Sequence, residues 1–125
     1  MKDFIKTRLL EGIENEIDTS RIRIKKTMVN NLLVYIPFYD GVRMGAFRLR
    51  PVPDGFKVFE TLLYDKYQGK GLGKGMYKYI IRDLSKENKI LYSDDKQSTD
   101  AARVWDSLVS MGIAEKTGNT YKSKG

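Results

Sequence analysis

The chain has 125 residues and a formal net charge of +7, from 23 Lys and Arg against 16 Asp and Glu. This length predicts a single domain over residues 1–125, and the charge favours either anionic partners or a solvated basic surface. Because the sequence contains neither cysteine nor histidine, it excludes disulfides, thiolate nucleophiles, Ser-His-Asp triads and Cys- or His-ligated metal sites, and we expect no metal.

The N-terminal segment carries Ile5, Leu9, Ile13 and Ile17 at intervals of four residues. This spacing predicts an amphipathic helix over residues 3–17, whose apolar stripe packs on the core or, alternatively, docks on a membrane surface or a partner. No run approaches the roughly 18 apolar residues of a membrane span, and the opening residues lack the apolar core of a signal peptide. We therefore expect a soluble, cytoplasmic protein with no membrane partner.

Three strands are predicted next, each followed by a turn or by glycine. They cover residues 32–38, 42–50 and 56–64, and the turns between them are residues 39–41 and 51–55. The third strand is the most apolar and ends just before a glycine-rich run, so it leads directly into the most distinctive part of the sequence.

The second half of the chain predicts two helices and further strands. An apolar helix face lasts to about residue 85 and consists of Leu72, Met76, Ile80 and Leu84. A short strand (89–93), a helix (98–111) and a closing hairpin (113–116 and 120–123) follow. The order α-β-β-β-α-β-α-β-β predicts the α/β fold class, more closely an α+β mixed sheet covered by helices.

The run YQGKGLGKG, residues 67–75, alternates glycine with lysine at the start of the first of these two helices. It fails the Walker pattern because no Ser or Thr follows Lys74, and it fails the dinucleotide pattern, which requires glycine at position 74. What fits is Gln68-x-x-Gly71-x-Gly73 at a strand–helix junction. Small residues there let main-chain N–H groups point at an anion, and the helix N-terminus adds partial positive charge, which predicts a pyrophosphate site.

This motif resembles motif A of the GNAT superfamily of N-acetyltransferases, Arg/Gln-x-x-Gly-x-Gly/Ala after the fourth strand. In addition, Ser98-x-x-Ala101-x-x-Val104-Trp105 stands where the family commonly has Asn-x-x-Ala-x-x-Leu-Tyr, and the element order from residue 32 onward follows the family's. The resemblance implies a GNAT-like acyl-CoA N-acyltransferase fold with an abbreviated N-terminal region. Residues 92–108 also resemble small acetyltransferases of bacteriophage genomes, which would place the protein in the cytoplasm of the host.

The resemblance further implies acetyl-CoA (coenzyme A) as cofactor. Leu62 and Leu63, at the end of the third strand, would hydrogen-bond the pantetheine arm through their backbone. Ser98 would contact the cofactor and act as a helix N-cap. The residues implied around the pyrophosphate are Gln68, Gly69, Lys70, Gly71, Leu72, Gly73 and Lys74.

GNAT enzymes act by direct attack of an amine on the thioester, which requires a base and stabilisation of the leaving thiolate. Glu60 is the candidate base because it is the one acid in an apolar strand, although a solvated or ion-paired glutamate is the alternative. Trp105 replaces the family's tyrosine, and an indole N–H is too weak an acid to protonate a thiolate, so Trp105 is predicted to pack. Tyr92, Ser93 or solvent would supply the proton instead.

Three functions are consistent with the sequence. The first is an enzyme, an acyl-CoA-dependent N-acetyltransferase acting on an unidentified primary amine of a small molecule or a protein, with Asp94 and Asp95 as candidates to position that amine. The second is a catalytically silent GNAT-like structural or regulatory module. The third is a basic nucleic-acid-binding protein, which is disfavoured because the aromatic residues lie in apolar elements and form no evident basic platform. Weak nucleic-acid binding and a homodimer stay open as partners.

Overall fold

The computed structural model describes residues 18–124, and within them eight strands form one mixed sheet. The helix predicted over residues 3–17, and with it most of the abbreviated N-terminal region, lies outside the described residues. The strands are β1 (Ile22–Val29), β2 (Leu32–Tyr39), β3 (Val42–Arg43), β4 (Gly45–Val52), β5 (Gly55–Leu63), β6 (Ile90–Tyr92), β7 (Ala114–Thr117) and β8 (Thr120–Ser123); the helices are α1 (Leu72–Ser85) and α2 (Thr99–Ser110).

The sheet order is β1-β2-β4-β5-β6-β8-β7, with β3 paired to β2 at one end. Strands β5 and β6 run parallel and are connected through α1, whereas the other described pairs are antiparallel. Neither described helix is long and apolar enough to cross a membrane. The mixed α+β class predicted from the sequence is confirmed, while the assignment of all 125 residues to one domain stays a prediction.

Within residues 18–124, the predicted strands and helices are found close to their expected bounds, with two corrections. The predicted second strand is divided at Met44 into β3 and β4. Strand β1 was not predicted, although Ile22 and Ile24 alternate with arginines. The alternation ends at Lys26, which shares the inward face with the isoleucines but places its ammonium 2.8 Å from Asp83 Oδ2 on α1. A lysine at an inward position hides the two-residue period that identifies a strand.

The core lies between one face of the sheet and the two helices. The predicted apolar stripe of α1 is confirmed, since Leu72, Met76, Ile80 and Leu84 are all at most 1% exposed. Across the sheet, Phe47 of β4 faces this layer, and its ring lies 5.9 Å from that of Tyr77 in α1. The side chains immediately before and after Phe47 in β4 therefore lie on the opposite face of the sheet.

Strands β5 and β6 pair over only three residues each, Gly55 to Lys57 against Ile90 to Tyr92. The two backbones are close there, because a Cβ on Gly55 would lie 1.9 Å from the Ile90 carbonyl oxygen. The β4–β5 register then shifts next to Arg48, so that Phe59 is an extra residue in β5, and such a bulge bends the strand. Residues 58–63 of β5 therefore continue past the end of β6, and their edge on that side has no strand partner among the described elements.

Candidate functional site

A cleft of about 490 Å³ opens where β5 extends past β6. We call it the β5–α1 cleft, because it is bordered by the end of β5, the glycine turn and the first turns of α1 and α2. It contains nine of the sequence-predicted cofactor residues: Leu62, Leu63, Gln68, Gly69, Gly71, Leu72, Gly73, Lys74 and Ser98. The structure thus brings together segments that are up to 36 residues apart in the chain, counted from Leu62 to Ser98.

The glycine turn exposes the main chain at the start of α1. Gly69 and Gly71 both have positive φ angles, 72° and 76°, which residues with a Cβ atom rarely adopt. Gly71 is the N-cap of α1, and no side chain in the described part of the molecule caps this helix end. The first helical bond runs from the Gly75 N–H to the Gly71 carbonyl, so the amides of residues 72–74 have no partner within the helix and remain as donors at its positive end.

Gln68 connects the glycine turn to the end of β5. Its side-chain amide donates a 2.8 Å hydrogen bond to the Leu63 carbonyl oxygen, and the Asp65 carboxylate lies 3.5 Å away. A side-chain hydrogen bond therefore joins the turn to the end of the strand.

The start of α2 forms the opposite wall of the cleft. Ser98 is its N-cap, and the hydroxyl accepts a 3.1 Å hydrogen bond from the Ala101 amide. This confirms the helix-capping role expected for Ser98, while its contact with a cofactor stays a prediction. Two helix N-termini consequently face the same cleft, an arrangement that favours an anion between them.

Charged side chains add little net charge to the cleft lining. Lys74 and Asp100 both line it, so their formal charges offset each other. Lys70 belongs to the same turn but is not among the lining residues. An anion bound in the β5–α1 cleft would therefore depend mainly on main-chain N–H groups and on Lys74.

Four aromatic rings form a continuous row behind the cleft. Tyr77 contacts Phe47 and also Trp105, with ring centroids 5.4 Å apart in the second pair. Trp105 in turn stacks on Tyr121, with centroids 5.6 Å apart and planes 14° from parallel. Trp105 is 1% exposed, which confirms the prediction that it packs.

Tyr77 is the one member of this row besides Phe47 that lines the cleft. It is 3% exposed, and burial raises the pKa of its phenol to about 12, with a further contribution from the Asp94 carboxylate. A hydrogen bond with the Thr61 side chain acts in the opposite direction and lowers this pKa. At neutral pH the Tyr77 phenol is therefore protonated and available as a hydrogen-bond donor.

Glu60 lies on the other face of the sheet from α1. It pairs with Arg48 across β4 and β5, whereas the next residue, Thr61, pairs with the inward-facing Phe47. The Arg48 guanidinium donates a 2.7 Å hydrogen bond to Glu60 Oε1, and the Glu60 side chain is 56% exposed. The ion-paired alternative named for Glu60 is thus present, and the carboxylate still faces solvent beside the open segment of β5.

Tyr92 and Ser93 lie away from the β5–α1 cleft. They line a second, smaller cleft of about 230 Å³, together with Lys57 and Asp95. The Tyr92 hydroxyl donates to Asp54 Oδ2 at 2.7 Å, which raises the pKa of Tyr92. Ser93 is 1% exposed, and its Oγ accepts a 2.9 Å hydrogen bond from the Tyr121 amide, joining β6 to β8. Each hydroxyl thus has a structural hydrogen-bond partner within the protein. A role as proton donor in catalysis stays a prediction for both.

Asp95 and Asp94 have different hydrogen-bond partners. Asp95 accepts a 2.6 Å hydrogen bond from Lys57, which lowers the pKa of its carboxyl, and it lines the second cleft. The Asp94 carboxylate accepts a 2.7 Å hydrogen bond from the Asp95 amide, and Asp94 is not among the residues that line the β5–α1 cleft. Their role in positioning an amine stays a prediction.

Several residues that line the β5–α1 cleft were not predicted from the sequence. These are Phe47, Thr61, Tyr67, Tyr77 and Asp100. A signal existed for Tyr77, because it follows Gly73 by four residues and so lies on the same helix face. For Phe47 and Thr61 the sequence contains no such signal, since their position depends on strand pairing.

Comparison with protein-family models finds no match to this chain, and comparison with curated protein sequences finds none either. Solved structures do match. A GNAT family acetyltransferase from Elizabethkingia anophelis with acetyl-CoA bound aligns with a TM-score of 0.61 at 15% identity, covering 78% of each chain. A Bacillus subtilis acetyltransferase in complex with CoA aligns with a TM-score of 0.61 at 10% identity, covering 84% of this chain and 98% of that one.

A third match is an IAA acetyltransferase from Bacillus cereus, with a TM-score of 0.61 at 10% identity over 82% of this chain and 98% of the other. All three identities are low, so what they establish is the architecture. The chain therefore has the fold of the GNAT acetyltransferases.

Proposed function

We propose that the chain is an acyl-CoA-dependent N-acetyltransferase that transfers an acetyl group from acetyl-CoA to a primary amine. One observation carries the proposal: the open edge of β5 and the uncapped N-terminus of α1 border the same cleft. A strand edge offers N–H and C=O groups to an amide-containing arm, and a helix N-terminus offers N–H groups to phosphate. Coenzyme A contains both of these groups in one molecule.

The residues present fit this ligand. The cleft volume of about 490 Å³ lies within the usual range for small-molecule sites. Gly73 leaves room beside the amides, since a Cβ there would meet only the Leu63 side chain, at 4.0 Å. Residues 72–74 would hold the pyrophosphate through main-chain N–H groups with help from Lys74, and Leu62 and Leu63 would hold the pantetheine arm. The fold neighbours with bound CoA or acetyl-CoA support this assignment.

Acetyl-CoA supplies an activated thioester, so the chain has to position it, accept a proton from the amine and stabilise the leaving sulfur. Glu60 is our candidate base, because it lies beside the open segment of β5 on the face away from α1 and is accessible to an amine from solvent. A cytoplasmic location, a bacteriophage source and a homodimer stay predictions.

The experiment that tests the function compares two substitutions at one position. Because the space around Gly73 is open, both Gly73→Ala and Gly73→Val should fold, but the larger side chain projects towards the anion site. We expect Gly73→Val to weaken acetyl-CoA binding at least tenfold in isothermal titration, about 1.4 kcal/mol, and Gly73→Ala to have a smaller effect.

A short DNA duplex serves as the competing ligand in the same titrations. A wild-type protein that binds the duplex but not acetyl-CoA would replace the proposal with nucleic-acid binding. Binding of acetyl-CoA without turnover of any primary amine would instead favour the silent GNAT-like module.

A further inference from the structure

We infer that the Tyr77 hydroxyl donates a hydrogen bond to the thioester sulfur as the carbon–sulfur bond breaks. This inference rests on the proposed function, and it assigns the stabilisation of the leaving group to α1. The sequence alone had suggested Tyr92, Ser93 or solvent for this role.

The position of Tyr77 supports the assignment. Its ring is held between Phe47 and Trp105, at 5.9 and 5.4 Å between centroids, so the phenol has little freedom to move. It lies one helical turn beyond Gly73, and it interacts with Thr61 in the segment of β5 that extends past β6. The hydroxyl is therefore close to the open strand edge along which we place the pantetheine arm.

Tyr77 and Thr61 line the same cleft, and interaction with the Thr61 side chain lowers the pKa of Tyr77. Thr61 lies in the segment of β5 that continues past β6. Because Tyr77 lines the cleft, its O–H can donate to an atom of a ligand bound there.

The attacking amine and the leaving sulfur are placed on opposite faces of β5. Glu60, our candidate base, is exposed on the face away from α1, and Tyr77 is buried on the α1 face. An amine that arrives beside Glu60 displaces the sulfur towards the buried side. Water has little access to a group that is 3% exposed, so a fixed donor is needed where negative charge develops on sulfur.

The step balances without a change of redox state. The amine nitrogen forms a bond to the thioester carbonyl carbon, the carbon–sulfur bond breaks, and its electron pair leaves on sulfur, while the amine proton passes to Glu60 or solvent. Tyr77 keeps its own proton, because its pKa of about 12 is well above the value of roughly 8.5 for a cysteine thiol. Tyr77 thus acts as a hydrogen-bond donor to the thiolate, which takes its proton from solvent after release.

Two other hydroxyls line the cleft near the glycine turn and α2. Ser98 Oγ accepts the capping hydrogen bond from Ala101, and Tyr67 lies before the glycine turn with the Lys66 ammonium 5.1 Å from its ring centre. Tyr67 is therefore the competing hydroxyl that the test compares with Tyr77.

The test measures the pKa of the CoA thiol in the complex and needs no amine acceptor. Because the chain has no cysteine, the only thiol in the complex is that of CoA. Thiolate formation is followed by ultraviolet absorbance between about pH 6 and 9, below the range in which tyrosines ionise, with the S-methyl-CoA complex as the blank. We expect the bound thiol to have a pKa at least about one unit lower in the wild type than in Tyr77→Phe, a tenfold difference in ionisation.

Tyr79→Phe is the matched control and should give the wild-type thiol pKa, because Tyr79 is not among the residues that line the cleft and its ring packs on Tyr35, with centroids 6.2 Å apart. Tyr67→Phe tests the competing hydroxyl. Phe at position 77 keeps the ring contacts, and Tyr77→Met provides a second variant without a hydroxyl if Tyr77→Phe fails to fold. An unchanged thiol pKa in the folded Tyr77 variants, or a shift produced by Tyr67→Phe instead, overturns the inference while CoA binding stands. Absence of CoA binding to the wild type overturns the proposed function as well.

Discussion

The phenol of Tyr35 in β2 donates a 2.7 Å hydrogen bond to the Asp83 carboxylate near the end of α1. Lys26 of β1 donates to the same oxygen at 2.8 Å. Burial of Tyr35 and its contact with Asp83 raise the pKa of the phenol, so it stays protonated and keeps donating. Since the other end of α1 forms the glycine turn and also carries Tyr77, these bonds anchor the helix on which the cleft depends.

Because Asp83 is ionised and hydrogen-bonded in the folded protein, we expect the free energy of unfolding to depend on pH. Burial by itself would raise the pKa of this carboxyl, but the hydrogen bonds from Lys26 and Tyr35 outweigh it and hold the pKa below its ordinary value of 3.8. The stabilisation is therefore fully present above about pH 5 and is lost as the pH falls through the lower, folded-state pKa. We expect Asp83→Asn to reduce the free energy of unfolding by about 1–2 kcal/mol at pH 7, and by less near pH 3.

Urea unfolding of the wild type and Asp83→Asn at both pH values measures this difference. Asp100→Asn is the control, because Asp100 is 95% exposed and its nearest ion-pair partner, Arg103, is 3.8 Å away. A loss at Asp83→Asn that is the same at pH 3 and pH 7 would contradict the proposed ionisation.

A side chain at position 55 should cause a steric clash where β5 and β6 meet. A Cβ at this position would lie 1.9 Å from the Ile90 carbonyl oxygen, and backbone cannot move aside as a flexible side chain can. We expect Gly55→Ala to destabilise the fold by about 3 kcal/mol, at the upper end of overpacking effects. Thermal unfolding measures the effect, and Gly73→Ala, which places its Cβ in open space, should leave the melting temperature unchanged or raise it.

Substitutions of Ser98 should separate its effect on protein stability from its effect on acetyl-CoA binding. Ser98→Ala removes the cap of α2 and should lower the free energy of unfolding by about 1 kcal/mol. Asn caps helices as well as Ser does, so Ser98→Asn should retain stability. Chemical unfolding and acetyl-CoA titration of both variants provide the measurements; equal stability of Ser98→Ala and the wild type would mean that the 3.1 Å bond to Ala101 contributes nothing.

Glu60 predicts a change in turnover without a change in cofactor affinity. Removal of a general base commonly costs a factor of roughly 100 or more, so Glu60→Gln should lower kcat by about that factor while the Kd for acetyl-CoA stays constant. Glu115→Gln is the control, because Glu115 is likewise exposed and ion-paired, with Lys122 at 3.3 Å. Full activity of Glu60→Gln on its amine substrate would transfer the proton-accepting role to water or another group.

Lys74 predicts how salt affects ligand binding. Since Lys74 is the one lysine among the residues that line the β5–α1 cleft, Lys74→Gln should weaken acetyl-CoA binding several-fold at low salt, with a smaller difference at about 0.2 M salt. Lys78→Gln, one turn further along α1, should have little effect. Duplex DNA binding, if present, should fall much more steeply with salt, because each neutralised phosphate releases counterions. A duplex affinity that survives 0.2 M salt would favour the nucleic-acid function.

Local signals in the sequence were sufficient for most elements and for part of the site. The apolar spacing from Leu72 to Leu84 predicted α1, and the glycines before it predicted a turn with exposed N–H groups, which Gly69 and Gly71 provide through their positive φ angles. Ser98 was predicted to cap α2 and does so. These predictions succeed because helix periodicity, caps and tight turns depend on residues a few positions apart.

The tertiary structure decided where the cleft opens and which side chains enter it. Strands β5 and β6 are in close contact at Gly55 and Ile90, which are 35 residues apart in the chain. They separate further along β5, where a bulge at Phe59 appears only in the pairing with β4. That pairing also directs Thr61 towards Tyr77 and Glu60 to the opposite face. The sequence by itself determined the strand, the glycine turn and the helix; their relation to one another, and the burial of Tyr77 between them, arose from contacts between distant residues that no local pattern encodes.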